Sequence, residues 1–452
     1  MITKSLSTSS FLRYFTFAAL YVAQGIPEGI LIYALPAWLA KHGIGPAEVG
    51  SFVGIAVLPW SFKLINAPVM DRFTYLPMGR RRPWVLLGQF GILTSFFLMS
   101  LITDPVNNLF LLTAMGFTVM FFGSFQDVAV DGMAIDILPV EQQARANGLM
   151  WGSKTAGIAA SVALGSLSIN AYGFSVTIML FSILVFLIML IPLLLRERPE
   201  EKILPWTRGE ASEAAIQMQL HEWKGIFKNL IAVFFLPMSL IMGVAVFFSS
   251  ISRGLMDTVL PVMTVQELGW LDTRYSQIFA TSGIIAGGIG MFIGGALIDF
   301  LGKIRMLAIF LILQILLIVA MSLLSGYWAN VQIVTAFIIG YYVLYTLLTI
   351  AIFATAMMLC WKKVAATQFT LYMAISNLGM SAGAYLLGPL RELFGYHLVI
   401  LVCAASAGVM LILLRYIKLD QHITEISELE KNINQSAIQY IKRLRAILIP
   451  RQ

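Results

Sequence analysis

Charge is scarce in this sequence: only 12% of its 452 residues are Asp, Glu, Lys or Arg, against roughly 25% in an ordinary soluble domain. So few charged side chains cannot cover a water-facing surface, which rules out a soluble globular fold. Cysteine is rarer still. Cys360 and Cys403 lie in separate apolar segments and read as buried core residues, not as a disulfide. Of four histidines, none stands two to five residues from another His or a Cys, so no zinc-type ligand set can be read from spacing. No Gly-x-x-x-x-Gly-Lys-Ser/Thr stretch occurs, which argues against ATP drive within this chain. Without a Ser/His/Asp constellation, a membrane-embedded enzyme or a non-transporting sensor has no motif to support it. No cofactor is expected.

What is present is apolar. Hydrophobic residues make up 59% of the chain, and 36 Gly and 16 Pro are interspersed with them. Runs of ~20 apolar residues would cross a hydrocarbon layer as helices. The glycine and proline content suits closely packed, locally broken helices better than a β-barrel, whose strands alternate polar and apolar positions. The fold class expected is therefore an all-α membrane protein. Apolar runs set against turn signals predict twelve transmembrane helices, near 12–40, 47–68, 84–103, 108–138, 143–170, 174–195, 229–263, 275–299, 304–325, 331–359, 365–391 and 396–418. The N-terminus MITKSLSTSS has no small-residue cleavage site behind it, so the first span is expected to remain as a signal anchor.

Basic residues then set the orientation. One set of loops carries Arg72, Arg80, Arg81, Arg82, Arg145, Lys303, Arg305 and most of the rest, whereas the opposite set offers Lys41, Arg274 and Arg391. By the positive-inside rule both termini are cytoplasmic. The net charge of +7 is accounted for by these anchors and implies no nucleic-acid partner.

A polar connection follows span six and divides the chain: residues 1–195 form an N-terminal six-helix half, 196–228 a cytoplasmic linker, 229–418 a C-terminal six-helix half and 419–452 a tail. The halves repeat. Gly29-Ile30-Leu31 with Leu35-Pro36 matches Gly254-Leu255-Met256 with Leu260-Pro261 at an offset of 225, and the segment ending at Asp71 matches the one ending at Asp299 at an offset of 228. Two parallel six-helix repeats around a midplane site are one way secondary transporters are built. In the tail, Ile423, Ile426, Leu429 and Ile433 fall at helical spacing, which predicts an amphipathic helix at the cytoplasm or membrane surface.

Asp71-Arg72 is followed by Gly79-Arg80-Arg81-Arg82, and the second half carries Asp299, Gly302, Lys303 and Arg305 in the related order. This pattern resembles the loop 2-3 and 8-9 signature of the major facilitator superfamily, which implies a cytoplasmic gate whose contacts exist in only one arrangement of the halves. Positive-inside anchoring explains some of the same arginines. The stretches Gln24-Gly25-Ile26-Pro27, LPWSFKLINAPVMDRF (58–73), GRRRPWVL (79–86) and QDVAVDGMAIDILP (126–139) are similar to the branch of that superfamily containing AmpG-type muropeptide permeases and acetyl-CoA transporters. The resemblance covers mainly the first half of the chain. It implies proton-coupled import (symport) of a bulky anionic solute such as a muropeptide, across a bacterial cytoplasmic (inner) membrane, by a monomer whose partners are its solute, protons and the lipid bilayer. A siderophore or a CoA thioester is the alternative cargo for the same machine.

Ionisable residues inside spans are costly and usually paired or functional. Lys63, Asp127, Asp131 and Lys154 share a depth counted from the cytoplasmic arginines, and Asp127 and Asp131 share a helix face. They read as an inner-leaflet charge network, either a structural clamp or a contact for substrate. Glu28 lies nearer the membrane centre, after Pro27, and its repeat partner at the offset of 225 is Arg253. The two can pair or hold a substrate between them, with Asp257 one turn from Arg253 as a second partner and Gln24 and Tyr33 flanking the same cavity. These five residues are the expected substrate- and proton-binding set. Gly148-x-x-x-Gly152, Gly283-x-x-x-Gly287, Gly290-x-x-x-Gly294 and Gly379-x-x-x-Gly383 read as helix-packing motifs.

Overall fold

A computed structural model describes residues 5–217, 224–361 and 364–431. The chain is all-α. Its long helices are α1 (Ser10–Lys41), α2 (Pro46–Arg72), α3 (Arg82–Ser100), α4 (Leu109–Ile137), α5 (Val140–Tyr172), α6 (Phe174–Leu194), α7 (Pro237–Glu267), α8 (272–301), α9 (Lys303–Leu323), α10 (Val331–Met358), α11 (Ala365–Tyr385) and α12 (Tyr396–Leu414). Among the described residues, nine are long and apolar enough to cross a bilayer: α1 to α4, α6, α7, α9, α10 and α12. The chain is an integral membrane protein.

Local chemistry sets the ends. Ser9 and Asn108 accept from the backbone N–H groups of Leu12 and Leu111, capping α1 and α4. Gly302, at φ +92°, turns α8 straight into α9 in a conformation that a side chain would resist. The span expected at 229–263 is two helices: Lys224–Phe234 stops short, Leu236 is extended, and Pro237 opens α7. Proline has no N–H to continue the first helix and holds the residue before it out of the helical region. Helix α1 bends into a widened turn at Gly29–Ala34, directly after Glu28; such turns often accompany functional sites.

The packing pattern repeats with a shift of six helices. α1 packs on α5 as α7 packs on α11, α3 on α4 as α9 on α10, and α3 on α6 as α9 on α12. Contacts between the two groups run through α5 with α8 and α2 with α11. Glycine sets the closest approaches. A Cβ on Gly25 would lie 2.5 Å from the Lys154 carbonyl oxygen, and one on Gly254 would lie 1.9 Å from that of Met380. Gly379 and Gly383 likewise press on the backbone of α7. Gly148 and Gly283 face open space, so those two expected packing positions are not helix contacts.

Candidate functional site

Deep in the first half, two ion pairs form beside one indole. Gly25 and Gly29 of α1 lie against α5, with Gly157 of α5 against Val22, and this brings Lys154 Nζ to 2.7 Å from Glu28 Oε1. Thirteen residues of helix separate Glu28 from Lys41, about 20 Å, so the pair is deep in the bundle. A tightened turn at Leu58–Phe62 in α2 ends at Lys63, whose ammonium group pairs with Asp127 of α4. Trp60 in that turn has Lys63 Nζ 4.3 Å and Lys154 Nζ 4.6 Å from its ring centroid. Asp131 accepts a hydrogen bond from the Tyr21 hydroxyl. The expected four-member network is thus divided: Lys63 meets Asp127, Lys154 leaves the set to meet Glu28, and Asp131 is held by a tyrosine. The whole group has three carboxylates and two ammonium ions.

Glu28 is therefore paired inside its own half of the chain and not with Arg253. Arg253 donates from Nε to Asp257 at 3.2 Å, from one terminal nitrogen to the Tyr345 hydroxyl at 2.6 Å and from the other to the Tyr33 hydroxyl at 3.3 Å. Asp257 is fully buried and also accepts from Tyr342 at 3.0 Å and Tyr33 at 3.3 Å. Tyr33 stacks on Phe279 of α8 with ring centroids 4.0 Å apart, and the Arg253 guanidinium lies 4.6 Å from the Tyr345 ring centroid. Tyr33 comes from α1 and Arg253 from α7, so this cluster spans the two groups of helices. The Arg253 side chain is 30% exposed. Gln24 is 1% exposed, and neither amide atom has a hydrogen-bond partner among the described residues.

The first-half part of the expected gate motif forms a closed ring of charges at the face that carries the N-terminal residues. Asp71 accepts from Arg80 at 2.7 Å and Arg81 at 2.6 Å, and both arginines also reach Asp136 at the end of α4. All four belong to the first half of the chain. Gly79, at φ +104°, lets the loop pass Glu197, which accepts from the backbone N–H groups of Arg80, Arg81 and Arg82 at 3.1, 2.8 and 2.5 Å. Burial pushes the Glu197 carboxyl up to about 7, with Glu201 adding to the rise and the Arg82 and Arg81 amides opposing it. The Arg82 guanidinium is fully buried and donates to the carbonyls of Pro192, Leu193, Lys202 and Ile203. Arg72 and Arg305 are exposed, Lys303 is half-buried, and Gly302 makes the α8–α9 turn. The Asp299 side chain lies outside the described residues.

At the opposite face the two groups of helices meet through charge. Lys41 Nζ of α1 is 3.3 Å from Asp272 of α8, and Asn170 of α5 donates to the same carboxylate at 2.7 Å. Gln266 of α7 donates to the carbonyls of Ala40 and Ile44 at 3.0 and 2.7 Å. Sequence reasoning did not single out Asp272, Trp60, Tyr21, Tyr342, Tyr345 or Glu197 as site residues. The tyrosines carry no charge, Asp272 starts a helix and Glu197 lies in the irregular segment after α6, where acids are ordinary; only Trp60, inside a quoted motif, stands next to a visible signal.

Residues 17–384 match the Major Facilitator Superfamily, and the chain belongs to that family. It is a secondary transporter by fold and family. An uncharacterized protein of Haemophilus influenzae is 31% identical over 138 residues, a match spanning 30% of this chain and 32% of that one. The anhydromuropeptide permease of Escherichia coli is 26% identical over 413 residues, covering 90% of this chain and 80% of the relative. Among solved structures, the nucleoside transporter NupG superposes with a TM-score of 0.69 at 11% identity, covering 89% of this chain and 99% of that one. That last likeness concerns the fold.

Proposed function

We propose that this protein is an AmpG-like symporter that carries a bulky anionic solute, of the muropeptide kind, inward with protons across a bacterial cytoplasmic membrane. In this reading α1–α12 are twelve crossings in two six-helix repeats, 1–195 and 229–418, joined by a cytoplasmic linker, with both termini cytoplasmic and the unit a monomer. The shift-of-six packing and the matched roles of Gly29 and Gly254 at the offset of 225 support the repeats.

One observation carries the mechanism: deep in the bundle, Lys154 and Arg253 are each held by an acid, Glu28 and Asp257. An anionic solute that takes either cation competes with its acid. A carboxylate that loses its cation in a low-dielectric site favours the protonated form, so solute binding and proton uptake support one another by linkage. The group of Glu28, Asp127, Asp131, Lys63 and Lys154 has one carboxylate more than ammonium ions, which gives the bundle a further place for a proton. The alternating exposure of this site follows from breaking the Lys41–Asp272 contact at one face while the other closes.

Uptake of labelled anhydromuropeptide by proteoliposomes tests this. Glu28→Gln is expected to retain solute exchange and lose accumulation driven by a pH gradient, while Arg253→Ala loses binding. If the Gln variant still concentrates solute under a pH gradient alone, Glu28 is structural and the coupling carboxylate is another. If only a siderophore or a CoA thioester exchanges, the cargo is wrong and the machine stands.

A further inference from the structure

Trp60 touches both the Lys63–Asp127 and the Glu28–Lys154 ion pair through their ammonium groups. Its ring has the Lys63 and Lys154 ammonium groups 4.3 and 4.6 Å from the centroid, and the indole is 5% exposed. Lys63 answers to Asp127 on α4, and Lys154 to Glu28 on α1. The ring's own Nε1–H has no hydrogen-bond partner among the described residues. A buried indole usually places that donor, so the polar anchoring of this ring comes from the two cations above its faces or edge. The Trp60 backbone is tied elsewhere: its carbonyl accepts from Asn377 Nδ2 of α11 at 3.3 Å, across the boundary between the two groups of helices. The turn that holds it, Leu58–Phe62, is a tightened stretch inside a longer helix, a form common at hinges.

We propose that Trp60 is a positioning residue that couples the Glu28–Lys154 pair to the Lys63–Asp127 pair and reports both to the α2–α11 contact. When Lys154 is released from Glu28, by a proton or by a solute anion, its attraction to the ring changes, and the indole resettles on Lys63. That shift alters the turn whose carbonyl holds Asn377, so the charge state of α1 reaches the packing of α2 on α11. The coupling rests on the proton-coupled reading for its use, but its physical part does not depend on any solute.

The test separates the two. Labelling the nine tryptophans with 5-fluorotryptophan and recording fluorine NMR spectra gives one resonance that Trp60→Phe removes and so assigns. The expected result is that this resonance moves in Lys63→Met, in Lys154→Met, in Glu28→Gln and in Asn377→Ala, while that of Trp328, on a loop of the opposite face, stays in place. In proteoliposomes Trp60→Leu is expected to lose pH-driven accumulation at least tenfold, with Trp60→Phe, which keeps a ring for the cations, retaining most of it. A Trp60 resonance that responds to only one of the two lysines, or a Leu variant that transports as well as the Phe variant, overturns the proposal. If the resonance responds as expected while the unmodified protein shows no proton-driven accumulation, the coupling stands and the transport reading fails.

Discussion

Glu28 Oε1 lies 2.7 Å from Lys154 Nζ, so the single acid of α1 is neutralised by α5 and not by the arginine at the matching position 225 residues on. Lys154→Met leaves this carboxylate without its cation and is expected to cost about 3 kcal/mol of stability. Adding Glu28→Gln to the same chain is expected to recover more than half of that loss, because a neutral amide needs no counter-charge. Thermal melting of the two single variants and the double variant in one detergent measures the cycle; additive costs would mean that the groups do not compensate one another.

Arg82 holds the start of the segment after α6 by four carbonyls from Pro192, Leu193, Lys202 and Ile203. A lysine has one nitrogen at the tip and lacks the planar fork that reaches four acceptors, so Arg82→Lys is not a conservative change. The variant is expected to expose Arg196, Arg198, Lys202 and Arg208 to trypsin, with cleavage about tenfold faster than in the unmodified protein. Unchanged cleavage would show that other contacts fasten the segment.

Asp272 is 1% exposed and joins Lys41 and Asn170 across the two groups of helices. Because Lys41 is 39% exposed the ion pair itself is worth little, about 1 kcal/mol, yet that is enough to shift a two-state balance roughly fivefold. Asp272→Asn is therefore expected to populate an arrangement open at this face. Spin labels at His42 and Leu271, both exposed, report it as a second, longer distance in a background lacking Cys360 and Cys403. A single unchanged distance would remove Asp272 from the gate.

Glu197 gives a pH dependence of defined sign. Its carboxyl is raised from 4.5 to about 7 by burial first and by Glu201 next, so between those values the folded protein holds a proton that the unfolded chain does not. Stability then falls as the pH rises through this window and is lowest above it. The melting temperature is expected to drop between about pH 5 and 8, and the drop is expected to shrink in Glu197→Gln, whose amide oxygen still accepts from the loop amides. A melting temperature that Glu197→Gln leaves with the same slope over this interval would mean that the backbone donors and Arg198 offset the effect of burial.

Much of the fold can be read from the residues in order. The helices at Arg82–Ser100 and Phe174–Leu194 follow from apolar runs and turn signals, because a backbone in hydrocarbon must satisfy its own hydrogen bonds locally. The break before Pro237 was visible in principle, as the proline stands in the sequence, but the apolar run continues on both sides of it and conceals the stop. The ring of Asp71, Arg80 and Arg81 is partly legible too, since its members lie within ten residues. Its closure by Asp136 and Glu197 is not, for nothing local says which distant acid reaches the loop.

Composition alone is enough for the class: too little charge for water, enough glycine for tight helices, and a few ionisable groups at depths that helix rise makes countable. Which groups pair depends on how the helices pack. Helical spacing sets the depth of Glu28, Lys154 and Arg253, but rotation and approach decide which of them meet, and those depend on Gly25, Gly29 and Gly157 letting α1 and α5 pack backbone to backbone. Depth is a sum of identical local steps of about 1.5 Å along one helix, whereas a contact of a few ångströms between two helices depends on every side chain that sets their separation.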